Sequence, residues 1–234
     1  MKIALDAMGG DHAPGEIVRG AMEFLDDPAN SDVEVILVGN ESEVEPLASA
    51  SRHWGERLRL VHAPDRLGMD VTPTEAVRRF KEASIVVAAG LVSSGEADAL
   101  VSAGNTGVTM VAALRAFGRI RGVERPAIAT VVPTLRGPAV LCDIGANVDC
   151  RPSHLAAFAQ MGSVYAEQVL HIPKPRVALL SNGEEANKGN EVVVSAHALL
   201  KDLPGINFIG NIEGRDVFHG AADVVVCDGF IGNI

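Results

Sequence analysis

The segment ADALVSAGNTGVTMVAALRAF, residues 97–117, passes from a short apolar run through a Gly- and Asn-rich loop into a second apolar run. Residues 97–101 are typical of a buried strand, whereas apolar residues three and four positions apart across 106–117 predict a helix. The same order of strand, loop and helix recurs along the chain. It predicts an α/β fold in three αβα layers, with a mostly parallel sheet covered by helices on both faces.

The same periodicities predict nine strands and five helices. The strands are expected at 2–7, 33–38, 58–61, 97–101, 127–132, 138–142, 176–180, 206–209 and 222–227. The helices are expected at 15–25, 73–93, 106–117, 153–169 and 191–200. No helical pattern separates the two strands around residues 134–137, which predicts a hairpin or a crossover between subdomains.

The C-terminal run at 222–227 is typical of a buried strand, but no helix follows its loop. A parallel strand normally needs such a covering helix. We therefore expect residues 1–234 to form a single α/β catalytic domain that is truncated at its C-terminus.

Composition narrows the functional class. The net charge of −10 argues against general nucleic-acid binding, which rests on clustered Lys and Arg. The three cysteines form no CxxC pair, so neither a disulfide framework nor a zinc site is indicated. The N-terminus lacks a signal-peptide pattern, and no run reaches the ~18 apolar residues that span a bilayer. These features favour a cytoplasmic protein with a small-molecule or protein partner.

Six loops rich in Gly, Asn and Asp follow predicted strands. In parallel α/β sheets the loops at the carboxyl ends of the strands line one crevice, where ligands bind. We therefore expect the six loops to form one site. They are DAMGGDHAP (6–14), SAGNTG (102–107), DIGANVD (143–149), SNGEEANKGNE (181–191), GNIEGRD (210–216) and DGFIGN (228–233).

SAGNTG lies between a predicted strand and a predicted helix. Asn105, Thr106 and Gly107 are therefore well placed to cap the helix and to bind a phosphate through free N–H groups. A purely structural turn is the alternative. Neither GxGxxG after the first strand nor GxxxxGK[ST] is present, so a dinucleotide site and a P-loop lose their main support.

SNGEEANKGNE places Lys188 among Gly and Asn residues just before a helix. Its ammonium group is suited to holding a phosphate or stabilising an oxyanion, and Asn190 adds amide donors. A solvated loop lysine is the alternative.

Two other loops carry carboxylates. In DAMGGDHAP, Asp6, Asp11 and His12 form a set suited to acid–base chemistry or metal binding, although helix capping is the favoured role for Asp11. In DIGANVD, Asp143, Asn147 and Asp149 could bind Mg²⁺, or could equally form Asx turns.

Cys142 and Cys227 end predicted strands, so a thiol nucleophile has to be considered. Neither is followed by a helix N-terminus with an adjacent His, the usual means of activation, and a buried structural role is favoured.

The basic clusters VRRFK (77–81) and GRIRGVER (118–125) are most simply interpreted as solvated faces. If they adjoin each other, they offer a docking surface for an acidic protein.

Seven segments together resemble the PlsX family, the phosphate acyltransferases of bacterial phospholipid synthesis. They are DAMGGDHAP, SAGNTG, DIGANVD, MGSVY (161–165), NKGNE (187–191), NFIGNIEGRD (207–216) and DGFIGN. The resemblance covers essentially the whole chain. It implies transfer of a fatty acyl group from acyl carrier protein to inorganic phosphate, a homodimer, and a fold similar to isocitrate and isopropylmalate dehydrogenases. In this family the C-terminal part carries peripheral membrane contacts.

The resemblance also implies roles for individual residues. Lys188 and Asn233 are predicted to be catalytic, in contact with the phosphate and the acyl carbonyl. No metal and no cofactor is predicted. By the same resemblance, phosphate or substrate binding is predicted for Asn105, Thr106, Asn147 and Asn190. The loop sequences themselves add Gly107 and His12 to this set.

Phosphate is largely dianionic near pH 7 and is already a competent nucleophile. We therefore expect direct attack on the thioester without an acyl-enzyme, helped by positioning and electrostatics. The competing interpretations are a metal-dependent decarboxylating dehydrogenase, a phosphate acetyltransferase that uses coenzyme A, and a non-catalytic scaffold that binds an acyl carrier.

Overall fold

The computed structural model describes residues 1–49, 52–67 and 71–233. The chain divides into two compact units, Met1–Gly118 and Arg119–Ile234. Each unit has its own sheet and its own helices, as expected for an α/β fold. A single catalytic domain over the whole chain stays a prediction.

The first unit contains a four-stranded, wholly parallel sheet in the order β3-β2-β1-β4. Its strands are β1 (Lys2–Asp6), β2 (Glu34–Gly39), β3 (Leu58–His62) and β4 (Ala99–Val101). Its helices are α1 (Gly15–Asp26), α2 (Glu41–Ala48), α3 (Pro73–Arg79), α4 (Ser84–Ser93) and α5 (Thr106–Phe117).

Strand β2 shows why this sheet is buried on both faces. Its sequence EVILVG is continuously apolar after the first residue, and five of its six residues are buried. Val35 and Leu37 pack in the cluster with α1 and α2, whereas Ile36 and Val38 pack in the cluster with α4. A continuous apolar run therefore marks a strand with helices on both sides.

The helix predicted at 73–93 is two helices, and the prediction was wrong at residues 80–83. Phe80 leaves the helical conformation at φ −103° and ψ 73°. Ala83 forms a parallel bridge with Asp65, and the Asp65 amide donates to the Glu82 carbonyl at 3.3 Å. This pairing with the segment after β3 interrupts a sequence that contains no Gly or Pro at the break.

The second unit contains a five-stranded sheet in the order β5-β6-β9-β7-β8. Its strands are β5 (Ala129–Thr134), β6 (Gly137–Cys142), β7 (Arg176–Leu180), β8 (Asn207–Ile212) and β9 (Val224–Val226). Its helices are α6 (Pro152–Gln168), α7 (Glu191–Lys201) and α8 (Gly214–Phe218). Strands β5 and β6 form an antiparallel hairpin, which confirms the hairpin interpretation, and the remaining pairs are parallel.

The centre of the second unit is packed from small and branched side chains. Gly162 of α6 lets the helix approach the sheet, because a Cβ at this position would lie 2.6 Å from Cγ1 of Val224. Phe158 of the same helix is fully buried in this cluster. Within the described ranges, no helix is both long enough and apolar enough to cross a bilayer.

The parallel strands place the polar loops at one edge of each sheet. In the first unit, DAMGGDHAP and SAGNTG follow the neighbouring strands β1 and β4. In the second unit the other four loops lie in the spatial order of their strands. DIGANVD follows β6, DGFIGN follows β9, SNGEEANKGNE follows β7, and GNIEGRD begins within β8 and continues beyond its end. The expectation that all six loops line one common crevice stays a prediction.

Candidate functional site

The two loops of the first unit are joined through a buried carboxylate. Asp6, at the end of β1, is 3% exposed, and its Oδ2 accepts a hydrogen bond of 2.7 Å from the Ser102 hydroxyl. The Ser102 hydroxyl accepts one of 3.1 Å from the Gly104 amide, and Oδ1 of Asp6 accepts one of 3.2 Å from the Met8 amide. Asp6 therefore fixes the shape of both loops.

Gly9 is required by this close approach. A Cβ at Gly9 would lie 2.4 Å from Oδ2 of Asp6 and 2.9 Å from the Gly104 amide nitrogen. Both distances are far below van der Waals contact, and the second involves backbone that cannot move away easily. The glycine therefore allows the two loops to touch.

The predicted cap of α5 is present. Oδ1 of Asn105 accepts a hydrogen bond of 3.1 Å from the Val108 amide, so Asn105 is the N-cap and Thr106 and Gly107 form the first turn. Thr106 is exposed, and a Cβ at Gly107 would lie 2.8 Å from Cγ of Pro73 at the start of α3. These three residues occupy the helix N-terminus where an anion is favoured.

A cavity of about 300 Å³ opens beside this helix N-terminus. Asp6, Ser102 and Asn105 line it, together with Arg66 and Ser84. Ser84 begins α4 and is 5% exposed, and its hydroxyl has no hydrogen-bond partner among the described residues. No buried side-chain polar atom of the described residues lacks a partner, so the Ser84 oxygen is accessible at the cavity wall, where a bound molecule can reach it.

His12 and Asp11 are both exposed on the loop after β1. The favoured role of Asp11 as a helix cap was wrong, because α1 is preceded by Pro14 and has no side-chain cap. Asp11 lines the cavity beside Gly10 instead. Substrate binding by His12 stays a prediction.

Lys188 lies in the loop between β7 and α7 and is exposed. Its side-chain stem passes over Gly183, where a Cβ would lie 2.9 Å from Cγ of Lys188. No carboxylate of the residues that the structure describes lies within ion-pair distance of its ammonium group. The charge of Lys188 is therefore available to an anion.

Asn190 caps α7, because its Oδ1 accepts a hydrogen bond of 2.9 Å from the Val193 amide. Gly189 precedes it with a positive φ of 101°. Asn190 also lines a pocket of about 310 Å³ that Ser181 and Ile231 border. The loops after β7 and β9 therefore meet at this pocket in the second unit, but neither Lys188 nor Asn233 lines it.

Asp143 and Asn147 organise the loop after β6. Asp143 is fully buried, and its carboxylate accepts hydrogen bonds of 2.7–3.1 Å from the amides of Ile128, Ala146 and Asn147. Nδ2 of Asn147 donates to Asp143 and to the Pro126 carbonyl, both at 2.8 Å. The local amides lie three and four residues after Asp143, so the loop is closed by a wider carboxylate-centred turn than an Asx turn. Substrate binding by Asn147 stays a prediction.

Asn233 lies next to this loop. The position that a Cβ would take on Gly145 is 3.5 Å from Oδ1 of Asn233. The Gly229 amide donates to the Asn147 carbonyl at 2.7 Å, so the loops after β6 and β9 are in backbone contact. Asn233 itself is exposed, with its side chain at the carboxyl edge of the sheet.

The cysteines of the second unit are poor nucleophiles. Burial and the nearby Asp143 raise the pKa of Cys142 to about 12, and burial and the nearby Asp228 raise that of Cys227 to about 12. Burial likewise raises the pKa of the Cys150 thiol to about 11. All three are therefore protonated near neutral pH, whereas the thiolate is the reactive form.

Comparison with known proteins shows the family to which the chain belongs. A family model described as fatty acid synthesis protein matches residues 1–234. The chain belongs to this family. The phosphate acyltransferase of Heliobacterium modesticaldum is 54% identical over 100% of the chain and 69% of its own length. That of Desulforamulus reducens is 51% identical, with the same coverage. That of Pelotomaculum thermopropionicum is 54% identical over 100% of the chain and 67% of its own length.

Solved structures with a similar fold include a phosphotransacetylase from Streptococcus pyogenes. It superposes with a TM-score of 0.71 at 18% identity, covering 100% of this chain and 79% of that chain. A phosphotransacetylase from Staphylococcus aureus gives 0.67 at 21% identity, with the same coverage. The likeness concerns the fold alone, and the predicted resemblance to the phosphate acyltransferase family is confirmed by the sequence relatives.

Sequence reasoning missed three polar residues near these loops. Ser84 had no visible motif, because it lies inside the stretch predicted as one long helix. Asn211 falls within GNIEGRD and is 5% exposed, but its partners come from other elements. One of them, His197, lies 2.9 Å from it and carries no local signal at all.

Proposed function

We propose that this protein transfers a fatty acyl group from acyl carrier protein to inorganic phosphate, forming acyl phosphate for phospholipid synthesis. The observation that carries the proposal is the family match over the whole chain, with relatives named phosphate acyltransferase at 51–54% identity. The loop geometry supports it, because helix N-termini, amides and an available lysine are suited to an anionic substrate.

The proposed reaction is a direct attack. A phosphate oxygen forms a bond to the thioester carbonyl carbon, an oxyanion develops, and the C–S bond then breaks. The electron pair of that bond leaves with the carrier thiol, which takes up a proton. The protonated state of Cys142 and Cys227 supports a route without an acyl-cysteine.

Lys188 and Asn233 are the proposed catalytic residues. The Lys188 ammonium neutralises charge on the attacking phosphate, and the Asn233 amide donates to the oxygen of the acyl carbonyl. Such contacts act by positioning and by stabilising the charge that develops in the transition state. Asn190 is proposed to support the phosphate from the loop beside it. Asn147 is proposed to act indirectly, because its NH₂ already donates to Asp143 and to the Pro126 carbonyl and thereby shapes the neighbouring loop.

In the first unit, the N-terminus of α5 and the adjoining cavity are proposed to bind part of the substrate. Asn105, Thr106 and Gly107 supply the helix N-terminus, and His12 lies on the neighbouring loop. Ser84 is added to this set because its hydroxyl lines the cavity and has no hydrogen-bond partner among the described residues.

The remaining features of the proposal come from the family resemblance. We propose a cytoplasmic homodimer with a fold similar to that of isocitrate and isopropylmalate dehydrogenases. We also propose peripheral membrane contact, which the resemblance implies. Docking of an acidic protein on the basic clusters at 77–81 and 118–125 stays a prediction that depends on their adjoining each other, and Arg79 of the first is paired with Glu75 at 2.5 Å.

The test measures release of free carrier thiol from palmitoyl acyl carrier protein by the full-length protein, with and without phosphate. The proposal expects release that requires phosphate, together with an acyl phosphate that hydroxylamine traps. Turnover of short-chain acyl-coenzyme A alone would favour a phosphate acetyltransferase. Carrier binding without turnover would favour a scaffold, and metal-dependent reduction of a dinucleotide would favour a dehydrogenase.

A further inference from the structure

The turn that carries Lys188 is tied to the sheet by one buried side chain. The backbone carbonyl of Glu185 accepts a hydrogen bond of 3.0 Å from the Lys188 amide. It accepts a second of 2.9 Å from Nδ2 of Asn211, which lies on β8 and is 5% exposed. Asn211 therefore fixes the carbonyl around which the turn closes.

Asn211 is itself oriented by His197 of α7. Nδ1 of His197 lies 2.9 Å from Oδ1 of Asn211, and the His197 ring packs edge-on against Phe208 at 5.1 Å between centroids. Because a carbonyl only accepts, Asn211 must present its NH₂ to Glu185 and its oxygen to His197. Nδ1 of His197 is therefore the donor, which is possible for the Nδ1–H tautomer and for the imidazolium ion alike.

Lys188 lies between two fixed points along the chain. The Glu185 carbonyl, held by Asn211, stands three residues before it, and Asn190, the cap of α7, stands two residues after it. Between these two points, only the short stretch of backbone and the Lys188 side chain are free to change conformation. The loop therefore restricts the backbone from which the Lys188 side chain extends.

Building on the proposed function, we propose that Asn211 and His197 are positioning residues that hold Lys188 where it binds phosphate. Neither touches the substrate in this account. A displacement of about 1 Å of a catalytic group lowers rates by up to about 100-fold. Loss of either hydrogen bond should therefore weaken the use of phosphate much more than the use of the acyl carrier.

The experiment compares kcat/KM for phosphate and KM for acyl carrier protein in variants of the full-length protein. Asn211→Asp keeps the shape of the side chain but has no donor for Glu185. We expect it to lose about 10- to 100-fold in kcat/KM for phosphate, with KM for the carrier little changed. Asn207→Asp, at the exposed start of β8, is the matched control and should stay near wild type.

His197 provides a second, milder pair. In His197→Asn the side-chain NH₂ can take the place of Nδ1, so most activity towards phosphate should be retained. His197→Leu has no donor and should lose about 10-fold. A purely structural role predicts instead that both variants change thermal stability and leave the two substrates equally affected.

The outcomes separate this inference from the proposed function. If Lys188→Ala keeps wild-type turnover, the proposed catalytic role of Lys188 is wrong, and the positioning inference that rests on it is wrong as well. If Lys188→Ala is inactive but folded Asn211→Asp matches wild type for phosphate, the positioning inference is overturned. Should Asn211→Asp not fold, equal kcat/KM for phosphate in His197→Asn and His197→Leu would overturn it instead.

Discussion

The Ser102 hydroxyl donates a hydrogen bond of 2.7 Å to the buried carboxylate of Asp6, which joins the ends of β4 and β1. The two residues are 96 positions apart in sequence. The same hydroxyl accepts a hydrogen bond from the Gly104 amide. One serine therefore links the Asp6 carboxylate to the loop that precedes α5. The geometry of the loop at the start of α5 therefore depends on β1.

Ser102→Ala tests this link. The change leaves an oxygen of Asp6 and the Gly104 amide without their partner, and each unsatisfied buried group costs about 1–3 kcal/mol. We expect a loss of unfolding free energy in that range, measured by urea denaturation. Ser93→Ala removes an exposed hydroxyl that bonds the Ala116 carbonyl and should cost no more than about 0.5 kcal/mol. Equal losses in the two variants would contradict the link.

Gly9→Ala tests the close approach of the two loops. Its Cβ would lie 2.4 Å from Asp6 and 2.9 Å from Gly104, and such overpacking costs about 1–3 kcal/mol. Gly20→Ala, in the interior of α1, meets nothing within 4 Å and should stabilise by up to about 1 kcal/mol. If the two loops approach each other this closely, thermal unfolding should show a lower melting temperature for Gly9→Ala and a higher one for Gly20→Ala.

Cys142→Ala and Cys227→Ala should each retain turnover with phosphate. Both thiols have a pKa of about 12 and are protonated near pH 7, so neither is placed to attack a thioester. Intact-mass spectrometry during turnover should show no added acyl group. A trapped acyl-cysteine, together with loss of activity in a folded variant, would require a different mechanism.

The Arg176–Asp223 pair should make stability of the second unit sensitive to acid. Partial burial would raise the pKa of Asp223, but the hydrogen bonds and charge of Arg176 outweigh it and lower the pKa below its usual value. The folded state therefore binds this proton less readily than the unfolded chain. The stabilisation is present above the usual carboxyl range and is lost as pH falls through the lowered pKa. Asp223→Asn should lower the melting temperature at pH 7 and reduce its dependence on pH below about 4. If the melting temperature of Asp223→Asn depends on acidic pH as the wild-type value does, the pair is not a source of acid sensitivity.

The strands could be predicted well because burial dictates their composition. All nine predicted strands are present, including the pair that forms the hairpin at β5 and β6. Helix α2 was missed because its sequence ESEVEPLA buries only Val44 and contains Pro46, so it has little apolar periodicity. Helix α8 has five residues and buries only Val217. Short helices that bury one residue leave almost no signal.

The site was predictable only where local sequence determines geometry. The cap by Asn105 follows from a polar residue before an apolar-periodic run, and it is present. Asn190 occupies the same place before α7, but its capping role was not predicted. Ser84, Asn211 and His197 become relevant through contacts with distant segments. Strand order brings those segments together, and periodicity within one segment carries no information about it.

The most direct test of the central claim is kcat/KM for phosphate in Lys188→Ala, with Lys201→Ala as the control. Lys201 is an exposed lysine in the last turn of α7. If Lys188 binds phosphate and stabilises developing charge, its removal should cost about 100- to 1,000-fold, whereas Lys201→Ala should stay near wild type. Wild-type kcat/KM in a folded Lys188→Ala protein would contradict the account.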